Sequence, residues 1–448
     1  MNVFRKLGTG SSVSIIFSEI LVSIILATIF MIFIYSLPTD KCIQNLGKSV
    51  NIYEKEGDYP YWSGTSMVHS MCDNWTDSIM FLMSTYPVEK GEIIRTSMMN
   101  TYLRGNKLSP ADSLVKIGHN DKDIKIYNVN YARYWHGYLI ILKPLLMFTD
   151  ISHIRSLNSY FVLILFGLSL LLFYKRLGIF YTIAYFLSIM TLNLVSISMS
   201  FQFSSIYYIS ILFTILLLIN SDFLLKNNLF LYFFALIGIF VAFFDFLTYP
   251  IVAFGLPFIT LYLLNRDYVL KIKNSLFLIF SFVLGYLGMW FGKWFVCWLL
   301  TGYNTFAEAI YNINRRTLID SHFKEQYNIT PLGALLKNIV AMFNDPIVIF
   351  IVSFILFIII LNYVKSRKIS IVFSWKTLIF YIALILIPIF WLLITSGHSQ
   401  IHFWFTYRNL SISIFAFLCF VIEFFRCNDK RNKENLTNGQ SCSFDSLL

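Results

Sequence analysis

The sequence predicts an all-α integral membrane protein of about ten transmembrane helices, with a long, partly helical first extracytoplasmic loop. Three observations carry that expectation. Of 448 residues, 57% are hydrophobic and only 13% charged, and apolar runs of membrane-spanning length recur with Lys and Arg between them. A soluble domain needs roughly a quarter of its residues charged to cover its surface, so a bilayer is the expected solvent. The aromatic share of 18%, with 46 Phe, suits lipid-facing bulk and interfacial anchors better than a water-soluble core.

At the N-terminus, Arg5 and Lys6 precede an apolar stretch from about Ser14 to Leu37. It exceeds a signal-peptide core and ends Ser36-Leu37-Pro38-Thr39-Asp40, which lacks a small-x-small cleavage site, so an uncleaved first span is expected. Further spans are expected near 156–174, 178–197, 203–220, 228–247, 249–264, 274–296, 346–362, 375–395 and 409–425. With residues 1–13 cytoplasmic, one orientation puts Lys175-Arg176, Lys226, Arg266 with Lys271 and Lys273, and Lys365 with Arg367-Lys368 inside. A polar tail, 426–448, with Arg426, Lys430, Arg431 and Lys433, joins them as a disordered cytoplasmic segment. The chain is therefore expected in the cell membrane, multi-pass, with both termini cytoplasmic. Gly137 to Phe148 is too short to span and is interrupted by Lys143 and Pro144, which makes it an interfacial or re-entrant helix.

The membrane domain, 14–425, then exposes an outer loop 37–155 and two shorter ones, 299–346 and 396–408. A first loop of that length must hold secondary structure of its own. The net charge of +11 is dispersed as loop punctuation and forms no basic motif, so nucleic acid is not an expected partner. Six cysteines lack metal-ligand spacing. Cys42 and Cys72 fall together on the outer side, where a disulfide and two free thiols both stay open.

Ionisable groups in or beside a bilayer are costly and therefore mark function. In this topology they gather at outer ends. Met71-Cys72-Asp73-Asn74-Trp75-Thr76-Asp77 places two carboxylates four apart, and one of them near an acceptor hydroxyl would act as a general base. The alternative is that Asp73 or Asn74 caps a helix. Asn74-Trp75-Thr76 also reads as a glycosylation sequon. In Tyr131-Ala132-Arg133-Tyr134-Trp135-His136-Gly137-Tyr138 the aromatics suit a membrane interface or a sugar platform, and Arg133 with His136 suit a phosphate. Asp245 amid phenylalanines needs a partner such as an arginine, a functional role, or a tight turn. Lys293, among Trp290, Trp294 and Trp298, reads as a snorkelling lysine in an aromatic girdle or as a ligand. Arg155, His398, His402 and Arg408, together with Arg315, Arg316, His322 and Lys324, offer outer positive charge for a lipid-linked phosphate. No cofactor is expected; a divalent cation stays open, although His398 and His402 lack an identifiable third ligand.

A cytoplasmic start, one span, a long outer loop with an early acidic residue, and then many spans together resemble the GT-C superfamily of membrane glycosyltransferases. The segments Thr76-Asp77-Ser78-Ile79-Met80, Tyr134-Trp135-His136-Gly137-Tyr138 and Phe244-Asp245-Phe246-Leu247-Thr248 are similar to multi-span proteins of low-GC Gram-positive bacteria. The GT-C resemblance implies transfer of a sugar from a polyprenyl-phosphate donor to a glycan or lipid acceptor on the outer face. It implies Asp77 or Asp73 as the base. It implies Arg133, His136, Arg155, Asp245, His398, His402 and Arg408 as substrate-binding candidates. The contiguous Asp-Glu pair of some mannosyltransferases in that superfamily is absent. Competing classes are a transporter or flippase of a lipid-linked glycan, a repeat-unit polymerase of surface polysaccharide, and a non-catalytic assembly scaffold.

Overall fold

Apolar helices make up most of a computed structural model that describes residues 9–64, 67–317, 320–366 and 374–437. Arg5, Lys6, Arg367, Lys368 and Cys442 lie outside the described residues. The first helix, α1 (Thr9–Ser36), leads into an outer layer. That layer holds α2 (Asp40–Ser49), α3 (Asn51–Glu56), α4 (Asn74–Ser84), α5 (Ile93–Met99), β1 (Tyr102–Gly105), α6 (Pro110–Gly118), β2 (Ile126–Val129) and α7 (Leu139–Phe148). β1 and β2 pair antiparallel, with Tyr102 opposite Val129. A bundle follows: α8 (Ile151–Leu177), α9 (Ile179–Met190), α10 (Leu194–Met199), α11 (Phe201–Lys226), α12 (Phe230–Phe244), α13 (Ile251–Leu264), α14 (Arg266–Val269) and α15 (Ile272–Thr301). The chain closes with α16 (Thr305–Arg316), α17 (Ser321–Gln326), α18 (Pro331–Phe343), α19 (Pro346–Ser366), α20 (Trp375–Ile394), α21 (Ser396–Ile401), α22 (Phe403–Thr406) and α23 (Ser411–Thr437).

The chain is an all-α membrane protein, but about ten spans overstates the count. Among the described residues six helices are long and apolar enough to cross a membrane, and the total reaches seven if α18 and α19, bent by 81°, form one broken span. The expected spans at 178–197, 228–247 and 249–264 are helices of 12, 15 and 14 residues. At about 1.5 Å per residue these fall short of a hydrocarbon core roughly 30 Å thick. Counting apolar residues ran through two turns. Asn193, at φ +59°, ends one run by accepting the Ser196 amide. Asp245 ends the other by accepting the amides of Leu247 and Thr248.

Small residues set the helix spacing. A Cβ on Gly238 of α12 would lie 2.2 Å from the Phe282 carbonyl oxygen, and one on Gly285 of α15 would lie 2.1 Å from that of Ala235. Only glycine at both positions lets these backbones approach so closely, as in membrane helix pairs generally.

Polar contacts reinforce the continuous apolar core that joins the outer layer to the bundle. Lys293 of α15 is fully buried and donates to the Met98 carbonyl and to Asn100 Oδ1, each at 2.7 Å. It is a clamp on the end of α5, which the snorkelling expectation missed. Arg155 of α8 pairs with Glu56 at 2.9 Å and donates to Asn74 Oδ1 at 2.9 Å. Trp135, also fully buried, donates its indole N–H to the Met289 carbonyl at 2.8 Å.

Arg176 and Lys226, two of the basic positions, lie at the other end of the bundle. Arg176 meets Asp222 near the end of α11, whereas Asp77 meets residues 201 and 202 at its start. Twenty-six helical residues, roughly 39 Å of rise, separate those ends.

Candidate functional site

Above the start of α11, four segments distant in sequence enclose a cavity of about 270 Å³. The first loop contributes Tyr59, Asp73, Trp75 and Thr76, and the aromatic segment contributes Tyr131 and Arg133. The end of α16 adds Asn312, Arg315 and Arg316, and the turn before α23 adds His398, His402 and Trp404. Gln202, Phe246 and several apolar side chains add to the wall.

Asp73 is the only carboxylate among these lining residues. It is the N-cap of α4: its Oδ1 accepts the Thr76 amide at 2.9 Å and its Oδ2 the Thr76 hydroxyl at 3.0 Å. Burial pushes its carboxyl up to about 6 against those two donors, so it ionises near neutral pH. Capping and site reading therefore fall on the same residue.

The basic wall is held from behind. Arg133 pairs with Glu308 at 2.8 Å and lies over the Tyr131 ring at 4.2 Å. Arg316 approaches His398 Nδ1 at 3.4 Å, and His398 Nε2 lies 2.7 Å from the Leu247 carbonyl. With Nε2–H donating to Leu247, Nδ1 is left as the acceptor for Arg316. Burial, with the charge of Arg316 next, holds His398 well below the usual histidine range, so it stays neutral in that role. His402 is pushed down to about 3 by the same two causes. Leu247 sits at φ +76°, a conformation that strains a non-glycine residue, and the Asp245 carboxylate stabilises it through the Leu247 and Thr248 amides and the Thr248 hydroxyl. A Cβ on Gly397 would lie 2.1 Å from the Arg315 carbonyl oxygen, so glycine there lets α16 close onto α21.

Arg315 and Arg316 have no carboxylate partner among the described residues. Two guanidinium groups without a carboxylate partner in a partly enclosed space favour a planar or tetrahedral anion. Beside them Tyr59 stacks on Trp75 with an interplanar angle of 7°, and Trp404 meets the Tyr59 ring edge-on at 5.6 Å. Aromatic faces of this kind pack against sugar C–H groups.

A second cavity of about 480 Å³ adjoins the first and shares Arg133, Asn312 and Arg316 with it. Its other walls are almost wholly apolar: Phe254, Phe282, Val283, Leu287, Trp290, Ile387 and Trp391 from α13, α15 and α20.

Four of the expected residues, Asp73, Arg133, His398 and His402, line the polar cavity; five do not. Asp77 lies behind it, fully buried, accepting the Phe201 and Gln202 amides at 2.9 Å each, and thus caps α11. Burial pushes its carboxyl up to about 8 despite those donors and Arg155. His136 bonds Tyr138 and the Tyr131 carbonyl. Arg155 is spent on Glu56 and Asn74. Asp245 makes its own turn, with no arginine pair. Arg408 donates to the Leu192 and Trp404 carbonyls and is fully buried. The sequon Asn74 is also fully buried, its amide donating to Glu56 and Gly57, which leaves no room for a glycan. Cys42, Cys72, Cys297 and Cys419 are buried free thiols.

Among the described residues no group of three His, Cys, Asp or Glu side chains converges to hold a metal. His398 has both ring nitrogens engaged and offers no lone pair to a cation. Sequence reasoning had passed over Tyr59, Trp404 and Asn312, which carry no local signal of a site. It grouped Arg315 and Arg316 with His322 and Lys324, which do not line the cavity.

No protein-family model, no curated protein and no solved structure matches this chain.

Proposed function

We propose that this chain transfers a sugar from a polyprenyl-phosphate donor to a hydroxyl acceptor, in the manner of a GT-C glycosyltransferase. One observation carries the reading: a cationic, aromatic-lined polar cavity adjoins an apolar groove, and Arg133, Asn312 and Arg316 line both. A molecule with a sugar, a phosphate and a long hydrocarbon tail matches those three zones in that order. The groove would take the first part of the tail, the guanidinium groups the phosphate, and the aromatic faces the sugar.

In the proposed step Asp73 takes the proton of the acceptor hydroxyl as its oxygen attacks the anomeric carbon. The bond from that carbon to the lipid-phosphate oxygen breaks, and the phosphate leaves with the electron pair. Arg315 and Arg316, with Arg133, offset its charge. Asp73 takes this role over Asp77 because only Asp73 lines the cavity. The Lys and Arg clusters at the far end of α11 support placing the cavity on the extracytoplasmic face and the termini inside.

The test uses the full chain in lipid nanodiscs with short-chain polyprenyl phosphates carrying glucose, galactose, mannose or N-acetylglucosamine. The expected result is release of free polyprenyl phosphate from one of them, lost in Arg316→Ala. Val283→Trp, which fills the groove, should raise the KM for long-tailed donors more than for short-tailed ones. Movement of an intact donor between leaflets without cleavage would replace this reading with a flippase.

A further inference from the structure

The outer layer carries a third cavity, of about 320 Å³, which shares no lining residue with the apolar groove and is unused by the step above. It lies between the approach to α5 and the strand β2, and its chemistry is mixed. Glu89, Glu92 and Arg95 are exposed and not ion-paired among the described residues, and Asn128 and Asn130 face them across the cleft. Thr96 is only 6% exposed and lines this cleft beside Tyr86 and Thr101.

We infer that this cleft binds a neutral oligosaccharide, the acceptor-side glycan of the proposed transfer. The class follows from the donors and acceptors present. Two carboxylates, two amides, a guanidinium and a hydroxyl provide paired acceptors and paired donors, the complement that vicinal sugar hydroxyls need. Two carboxylates against one guanidinium disfavour an anionic ligand, whereas the basic cavity favours one. Phosphate is thus directed to one site and uncharged glycan to the other. Position supports the pairing. Asn128 and Asn130 face the cleft while Tyr131 and Arg133 face the basic cavity, so one short segment walls both. The Tyr131 amide donates to the Met99 carbonyl, which fixes that segment against the end of α5.

This inference rests on the transfer reading for its purpose and not for its test. The full chain in nanodiscs is titrated with maltohexaose, cellohexaose and chitohexaose, followed by saturation-transfer NMR. At least one is expected to bind, with the matching monosaccharide at least tenfold weaker. Glu92→Gln and Thr96→Val should each weaken it at least fivefold, and Asp73→Asn should leave it unchanged. Asn128→Ala, at an exposed strand position, serves as a second cleft variant that leaves the core intact. Failure of all three hexasaccharides to bind, or binding indifferent to the cleft variants, overturns the proposal. Binding lost in Arg316→Ala but not in the cleft variants overturns it too, since the glycan would then occupy the basic cavity. A chain that binds glycan at the cleft yet releases no polyprenyl phosphate keeps this site and loses the transfer reading.

Discussion

His398 Nε2 lies 2.7 Å from the carbonyl oxygen of Leu247, 151 residues earlier in the chain. That contact joins the turn made by Asp245 to the arginine at the junction of the two cavities. Asp245 holds the Leu247 backbone, Leu247 fixes the His398 tautomer, and His398 accepts from Arg316. Asp245 is thus a positioning residue two contacts removed from the ligand space.

His398→Gln breaks this relay while keeping polar bulk. The expected outcome is a rise of about tenfold in the donor KM, equivalent to roughly 1.4 kcal/mol, with a smaller change in kcat and little loss of thermal stability. Asp245→Asn should move KM in the same direction. Unchanged donor KM in both variants would remove the relay.

The two aspartates should separate by readout. Asp73→Asn is expected to lower kcat by about 10²–10⁴-fold in a protein that folds normally, the usual worth of a positioned base. Asp77→Ala should act through the α11 N-terminus, costing about 1 kcal/mol of stability as a lost cap does, with the folded fraction still active. Melting curves beside initial rates decide it, and an inactive but normally stable Asp77 variant would reverse the assignment.

Acidity gives a third check. Burial raises the Asp73 carboxyl to about 6, and a base works when ionised, so transfer should climb between pH 5 and 7 with a midpoint near 6. The stability effect has the opposite sign. The folded state holds this proton more tightly than the unfolded chain, so stability from this group is full below about pH 4 and is lost as pH rises through about 6. Because Asp245 is also raised to about 6, the difference between wild type and Asp73→Asn isolates the term. A pH–rate profile that keeps the same midpoint in a residually active Asp73→Asn would assign the titration elsewhere.

Lys293 clamps the outer layer to α15, and its loss should be felt there. Lys293→Met leaves the Met98 carbonyl and Asn100 Oδ1 without their donor, at a cost of about 1–3 kcal/mol. Limited proteolysis is expected to accelerate between α5 and β2 before the bundle itself yields. Equal protection in both proteins would show that apolar packing alone holds the layer.

Much of the site was legible residue by residue and little of it as an arrangement. Asp73, Arg133, His398 and His402 were picked out because polar groups beside apolar runs are conspicuous, and all four line one cavity. Asp77, Arg155 and Arg408 were conspicuous for the same reason, yet each is consumed by a backbone group or a carboxylate. Charge and position in sequence do not distinguish a residue that faces a cavity from one that caps a helix behind it. Span count failed likewise, because turns at Asn193 and Asp245 interrupt apolar runs without interrupting their composition.

By itself the sequence determined the solvent and the helical class and marked the polar groups beside apolar runs, because transfer free energies depend on residue type and run length alone. Tertiary structure decided which aspartate meets the cavity, which arginines lack a carboxylate partner, and that the polar cavity adjoins an apolar groove. Those outcomes depend on where hydrogen-bond partners from distant segments arrive, and partner geometry is a property of the packed chain.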